Sequence, residues 1–281
     1  MTKLMQTVNL RLATYNIHKA RGLDGRVRPD RIIRVLSELN ADVIALQEVV
    51  SHEGKRPEDH QARYIADALG FHMQFGENRL HNGGAYGNVL LSRLPIQRSC
   101  NHDISIPRRE PRGCLRTDLL LPQGRELHLF NLHLGTSFFE RRRQARKLFH
   151  DEILISSHLA GSKIILGDLN EWTKGLASRL LRRHFHRAEI PKRAIARGSY
   201  PGILPLLNLD HIYFDRGLEL RHVSLHRSRT ALIASDHLPL VAEFVIPGAP
   251  QSDEWPAIAG NLLQLRTGQH GFHRASLGAR P

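Results

Sequence analysis

Residues 163–170 read KIILGDLN and residues 235–245 read SDHLPLVAEFV. In each, an apolar run of strand length abuts a small polar cluster. Asp168 and Asn170 close the first run, and Asp236 and His237 open the second. Short runs rich in Ile, Leu and Val, bounded by Gly, Asn or Asp, read as strands. The same pattern extends outward at 8–16 (VNLRLATYN), 42–49 (DVIALQEV), 86–92 (YGNVLLS), 114–121 (CLRTDLLL), 126–134 (ELHLFNLHL), 209–214 (LDHIYF) and 238–245 (LPLVAEFV). Several alternate apolar and polar residues, and Val8, Leu10, Leu12 and Thr14 share one side of the first. Helical spacing falls between the strands. Residues 29–40 open on Pro29 and place Ile32, Ile33, Leu36 and Leu39 on one face; residues 58–69 stop at Gly70; residues 138–160 begin FFERRRQARKLFHDEIL. Helix and strand signals that interleave, with adjacent strand pairs mid-chain, predict two mixed sheets with helices outside. The expected catalytic domain is 1–247. PGAPQSDEWP then reads as a linker, 257–265 as a short helix, and 248–281 as a C-terminal extension with a mobile end.

Bulk properties narrow the class. A chain of 281 residues, 41% hydrophobic and 24% charged, has an ordinary soluble composition and can bury a core without covalent staples. The start, MTKLMQTVNLRLATYN, lacks the apolar core of a signal peptide, and no run is long enough to span a bilayer. Cys100 and Cys114 are too few for a disulfide framework and lack CxxC spacing, so the cytoplasm is the expected compartment. A formal charge of +13 favours polyanionic partners without choosing between nucleic acid and anionic lipid. The Gly83–Gly84 pair reads as a turn before a strand; no GK[ST] follows it, so a nucleotide-triphosphate loop is unsupported.

Chemically competent groups gather where the strand-like runs end: Asn16, Glu48, His133, Asp168, Asn170, Asp210, Asp236 and His237. Strand ends can converge on one rim of a sheet, a common location for active sites. The carboxylates are hard oxygen ligands suited to Mg²⁺, which takes one or two of them and keeps several waters. The Asn side chains supply amide oxygen or N–H, and the two imidazoles can donate to phosphate or move protons near neutral pH. No Ser, Thr or Cys stands beside a base, which favours attack by water. Each residue has a plainer reading as a turn, cap or solvated charge; what favours chemistry is the compatibility of the whole set. Arg93 and Arg116 are further candidates for phosphate contact, whereas Arg141, Arg142 and Arg143 read as the exposed face of a helix. Trp172 and Tyr86 read first as packing residues and second as stacking surfaces, and His18 is open between a turn and the site.

TYNIH, LQEV, GNVLLSR, NLHLG, GDLN, LDHIYF and SDHLPL, in that order across roughly 9–245, resemble the endonuclease/exonuclease/phosphatase (deoxyribonuclease I-like) superfamily. The resemblance implies a four-layer α/β sandwich, two packed mixed β-sheets flanked by helices, and a Mg²⁺ cofactor for which Mn²⁺ can substitute. It implies Glu48 as the principal metal carboxylate, with Asn16 and Asp236 close to the metal. Asp168 resembles the residue that orients or deprotonates water, and Asn170 an amide at the phosphate. His237 resembles a phosphate-contacting imidazole oriented by Asp210, and His133 the second imidazole. Some members pair that imidazole with an acidic residue; no partner is fixed by this sequence. The resulting expectation is a metal-dependent phosphodiester hydrolase, foremost a nuclease on DNA or RNA. A phospholipid-headgroup phosphodiesterase or phosphoinositide phosphatase is the alternative, and an inactive binding protein the third reading.

Overall fold

In the computed structural model, which describes residues 7–52, 54, 56–173, 175–191 and 198–247, the elements in chain order run as follows. They are β1 (Val8–Asn16), α1 (Pro29–Leu39), β2 (Val43–Ser51), α2 (Gln61–Leu69), β3 (His72–His81), β4 (Gly84–Ser92), β5 (Ile96–Asp103), β6 (Gly113–Leu120), β7 (Glu126–His133), α3 (Phe138–His150), β8 (Ser162–Asp168), α4 (Leu176–His184), β9 (His186–Arg187), β10 (Asp210–Phe214), β11 (Glu219–Leu225), α5 (Arg229–Ala234) and β12 (Leu240–Ile246). The strands form two six-stranded sheets, ordered β11-β12-β1-β2-β4-β3 and β5-β6-β7-β8-β10-β9. Each centres on a parallel pair, β1 with β2 and β7 with β8, flanked by antiparallel neighbours.

Side-chain alternation explains the layering. On β1, Leu10 and Leu12 face the second sheet, where they pack with Leu129, Ile164, Leu166 and Ile212. Ala13 and Tyr15 face outward onto Ile32, Leu36 and Leu39 of α1, Ile65 of α2 and Ala231 of α5. The outer face of the second sheet, with Phe130, Leu132 and Ile165, is covered by Ala145 and Leu148 of α3 and Leu181 of α4. Burying one such Leu removes enough apolar area to stabilise the fold by about 1.5–3 kcal/mol, and the central strands bury both faces. The four-layer sandwich expected from the sequence is the fold.

The sheets share one functional rim. Parallel β1, β2, β7 and β8 end there in Asn16, Glu48, His133 and Asp168, and antiparallel β10 begins there at Asp210. Just below the rim the inter-sheet layer turns polar. Gln47 donates to Thr14 Oγ1 at 3.0 Å and Asn131 Oδ1 at 2.8 Å, while Asn131 Nδ2 donates to the carbonyls of Leu46 and Val89 at 2.9 Å. These buried amides bond to one another and to neighbouring backbone, with Gln47 Oε1 unpartnered among the described residues, and form a floor to the cleft.

Helix 138–160 is shorter than its periodicity suggests. It ends at His150, where Glu152 takes a left-handed φ of 54° and the Leu154 amide bonds back to the Leu148 carbonyl at 3.3 Å. Residues 257–265 and the rest of the 248–281 extension lie outside the described residues. No helix among the described residues is long and apolar enough to cross a membrane.

Candidate active site

Local geometry aims the rim residues inward. Between Leu46 and Val49 the register of β2 against β4 slips, so that Gln47 and Glu48 together oppose Asn88. Glu48 has φ 57°, and such a bulge re-aims a side chain that strict alternation would point elsewhere. Before Asp168, Gly167 has φ 143°, and a Cβ there would run into the Leu132 carbonyl of the neighbouring strand. Only glycine lets β7 and β8 approach this closely. After it, the Asp168 Oδ1 accepts the Asn170 amide at 2.8 Å, and Asn170 Nδ2 donates to the Leu134 carbonyl at 2.9 Å. Asn170 thus ties the end of β8 to the residue after His133, and its Nδ2 is committed to backbone.

Asp168 lies at the centre. Its Oδ2 accepts Asn16 Nδ2 at 3.1 Å and stands 3.6 Å from His133 Nε2 and 3.7 Å from His237 Nε2. The same Asn16 Nδ2 donates to Glu48 Oε1 at 3.1 Å, so one amide bridges the two carboxylates. His237 Nδ1 donates to Asp210 Oδ2 at 2.8 Å, and the His237 ring lies 5.0 Å from that of Tyr200. Asp236, at the entrance, is 3.5 Å from His18 Nδ1, and the buried Ser235 hydroxyl donates to the Asn16 carbonyl at 2.8 Å. The structure therefore gathers Asn16, Glu48, His133, Asp168, Asn170, Asp210, Asp236 and His237 on one rim.

Electrostatics differentiates the two imidazoles. Burial alone would lower the pKa of His237, but Asp210 and Asp168 outweigh it and raise it to about 10, so the ring is an imidazolium at neutral pH. His133 is driven the other way, to about 4, by burial and by the Arg112 guanidinium. Arg112 Nη1 donates to His133 Nδ1 at 2.7 Å and its Nη2 to Glu110 Oε2 at 2.9 Å. With Nδ1 an acceptor, the proton of neutral His133 sits on Nε2, facing Asp168. Asp168 is raised by burial against the pull of His237 and His133. For Glu48, burial would raise the pKa, yet His133, Lys19 and Asn16 hold it at about 2.

Three residues not anticipated from sequence complete the site: Lys19, Arg112 and Tyr200. Lys19 Nζ donates to Glu48 Oε2 at 2.6 Å and lies 5.9 Å from the centroid of the buried Tyr86 ring. A lysine three positions after Asn16 was the available signal; Arg112, one of three arginines in the loop PRREPR, and a Tyr remote in sequence offer none.

Other expectations need correction. Arg93 follows Ser92, which pairs with Val43 at the opposite end of β2; it contacts Asn40 and Asp42 and stacks on Phe71. Arg116 pairs with Asp118, two places along β6 on the face turned to the outer helices. Strand direction thus removes both from the rim. Arg141 is buried, donating to the Gly135 and Thr136 carbonyls, and its guanidinium lies 5.2 Å from the ring of Trp172, which is 53% exposed. A single turn of helix carries Arg142 and Arg143 outward and Arg141 inward.

The donor set suits a hard divalent cation. Glu48 already holds a positive partner in Lys19 and accepts the Asn16 amide, and Asp236 stands across the same rim beside His18. Among the described residues no group of three His, Cys, Asp or Glu converges tightly enough to enclose an ion; Mg²⁺ needs only one or two carboxylates, the rest of its shell being water.

Comparison with known proteins places this arrangement. The Endonuclease/Exonuclease/phosphatase family matches residues 13–237. The Escherichia coli K12 protein YbhP, itself uncharacterized, is 30% identical over 249 residues, covering 85% of this chain and 97% of its own. Similar solved structures include an endonuclease/exonuclease/phosphatase of Beutenbergia cavernae (21% identity, TM-score 0.67, 87% of this chain and 73% of that one). Another is the Bacteroides thetaiotaomicron mannosyl-6-phosphatase Bt3783 (17% identity, TM-score 0.65, 84% and 99%). A third is truncated Caenorhabditis elegans TDP2 (16%, TM-score 0.64, 84% and 97%).

Proposed function

The chain belongs to the endonuclease/exonuclease/phosphatase family and is a phosphoesterase, and from that premise we propose that it hydrolyses a phosphodiester with an activated water at a Mg²⁺ centre. The observation that carries this reading is the convergence on Asp168 Oδ2 of Asn16 Nδ2, His133 Nε2 and His237 Nε2, all within 3.7 Å. A buried carboxylate whose pKa is raised by desolvation is a competent base for water. His237, held cationic by Asp210, presents its Nε2–H to a nonbridging phosphoryl oxygen and offsets the charge that grows there. His133, neutral with its proton on Nε2, donates a hydrogen bond to a second phosphoryl or leaving oxygen without adding a charge. Asn170 keeps Asp168 and His133 in register. Glu48, with Asn16 and Asp236, would hold the metal; when bound, Mg²⁺, or Mn²⁺ in its place, polarises the phosphoryl group as a Lewis acid.

The finer reading concerns the carrier of the phosphodiester. Net charge of +13 favours a polyanion, with nucleic acid the first expectation. A specific observation favours the second reading, an anionic phospholipid: large aliphatic side chains stand exposed on the same rim as the site, among them Ile203, Leu204 and Leu206.

Hydrolysis of a panel holding single- and double-stranded DNA, abasic DNA, RNA, phosphoinositides, sphingomyelin and cardiolipin, with Mg²⁺, Mn²⁺ or chelator, tests the reading. Metal-dependent turnover absent from Asp168→Ala is expected. Turnover that persists in chelator, or in Asp168→Ala, would overturn the mechanism, and an absence of turnover on every substrate would favour an inactive binding protein.

A further inference from the structure

Large exposed apolar side chains are unevenly spread. Among the described residues, all but Leu120 and Ile155 lie on segments at the catalytic rim. The densest group flanks the second sheet's end of the site. Phe138 (45% exposed) and Phe139 (73%) open α3, and Trp172 (53%) follows the end of β8. Ile203 (62%), Leu204 (62%) and Leu206 (71%) project from the loop closed by the Tyr200–Leu207 bridge. That loop is anchored beside the site, since the Gly202 amide donates to the Asp236 carbonyl at 2.7 Å. Apolar groups gathered at one end of a molecule mark an interaction surface, unlike the same groups scattered singly.

Charge on these segments is one-sided. Arg108, Arg109, Arg142 and Arg143 are exposed. The acids are not free to oppose them: Glu140 and Glu171 are buried, and Glu110 lies between Arg79 and Arg112. A cavity of about 330 Å³ opens between the loop before β6 and the start of α3, lined by Ile106, Pro107, Arg108, Arg109, Phe139, Glu140 and Arg143, three arginines against one largely buried carboxylate. It sets guanidinium groups beside an exposed phenyl ring, the combination an anionic headgroup with adjoining acyl chain would meet.

We propose that this rim is a docking face for an anionic lipid surface, so that the catalytic cleft opens onto the bilayer and takes its phosphodiester from a phospholipid headgroup. The proposal rests on the phosphoesterase reading and names its substrate class. Two observations favour lipid over nucleic acid. Single-stranded nucleic acids are held by aromatic platforms and backbone-tracking cations, and the loop tip here is Ile203-Leu204-Pro205-Leu206, aliphatic and without hydrogen-bonding side chains. Interfacial membrane binding instead combines inserted Leu, Ile, Phe or Trp with arginines that meet anionic headgroups, the pairing present on this rim.

Flotation of the full chain with vesicles of phosphatidylcholine, alone and mixed with phosphatidylglycerol, tests the docking separately from catalysis. Hydrolysis of soluble bis(p-nitrophenyl) phosphate is measured in parallel. The parent chain is expected to bind the anionic vesicles selectively. Ile203→Ser with Leu204→Ser should weaken that binding about tenfold or more per residue, and Arg108→Ser with Arg109→Ser about fivefold per residue. Both double variants should keep the parent's thermal melt and its rate on the soluble diester. Undiminished vesicle binding by Ile203→Ser/Leu204→Ser would overturn the proposal. So would loss of single-stranded DNA binding, and not of vesicle binding, in that variant, or a parent dimer that this variant dissociates and that ignores vesicles. Vesicle binding without hydrolysis of any phosphodiester would leave the docking face standing and remove the catalytic reading; hydrolysis without vesicle binding would do the reverse.

Discussion

Arg112→Met removes the guanidinium that donates to His133 Nδ1 at 2.7 Å. In the parent, protonating His133 would set a second cation beside Arg112 in a buried site, which with desolvation holds its pKa at about 4. Two like charges about 4 Å apart repel by about 4 kcal/mol at an effective dielectric near 20. One pH unit corresponds to about 1.4 kcal/mol. Water entering the vacated space returns part of this, so the titration of His133 should rise by about one to two pH units. The sign is definite. His133 acts as a neutral Nε2–H donor, so the acid limb of the pH–rate profile moves to higher pH in the variant. Above that limb the rate should still be reduced, by about 10²-fold, because neither tautomer nor ring orientation of His133 is then enforced. Arg112→Lys keeps a cation but not the fork joining His133 to Glu110, and should fall between. The cost to stability is about 1–3 kcal/mol for an orphaned Nδ1, partly offset by removing a buried charge. The assay is kcat/KM against pH on a soluble diester in Mg²⁺, with a thermal melt of each variant. An unmoved acid limb and full rate in a natively melting Arg112→Met protein would refute the reasoning. A basic limb that moved to higher pH in the variant, with activity gained above pH 4, would instead show His133 working as a protonated acid.

Other outcomes follow from the same geometry. Asp210→Asn should lower kcat by about 10⁴-fold, as loss of the orienting carboxylate does in a Ser-His-Asp triad, with the fold retained; a rate within tenfold of the parent would remove Asp210 from the mechanism. Because the pKa of His237 is raised from 6.5 to about 10 in the folded chain, its ion pair stabilises fully below pH 6.5 and is lost as pH rises through about 10. Denaturant midpoints should therefore fall over that window in the parent and not in His237→Gln. Glu48→Gln should abolish the dependence of rate on Mg²⁺ concentration along with turnover, and Lys19→Met should lower the rate less than Glu48→Gln; the reverse order would make Lys19 the primary cation of the site. The chain cut after Pro247 should fold and turn over like the full chain; aggregation or inactivity would show that the C-terminal extension belongs to the domain.

Central strands and site residues were legible in the sequence for a shared reason. β1, β2, β4, β6, β7, β8, β10 and β12 lie inside the sheets and bury side chains on one or both faces, so they carry continuous or alternating apolar patterns. Their ends bear the polar residues of the cleft, and the spacing of GDLN and SDH survives in one dimension. The strands that the pattern missed, β3, β5, β9 and β11, are the four sheet edges. An edge strand is paired on one side only and needs little apolar surface; HMQFGENRLH and IQRSCNHD are mostly exposed or half-exposed and read as loop. Helix α5 spans only 6 residues, too few turns for periodicity to accumulate, and α4, as long as α2, lacks the glycine stop that Gly70 gives α2.

What the sequence determined by itself was the alternation of layers, the chemical inventory of the site and the sign of the surface charge, because each depends on residue type and local spacing. Tertiary structure alone decided which cations reach the chemistry. Arg93 and Arg116 sit on strands whose direction carries them from the rim, while Arg112 and Lys19 arrive there from loops. It also decided that one imidazole is charged and the other neutral. His133 and His237 are the same residue type at strand ends, and the difference between them comes from a guanidinium 21 residues from one and a carboxylate 27 residues from the other. Charge acts through space, over distances that only the folded chain sets.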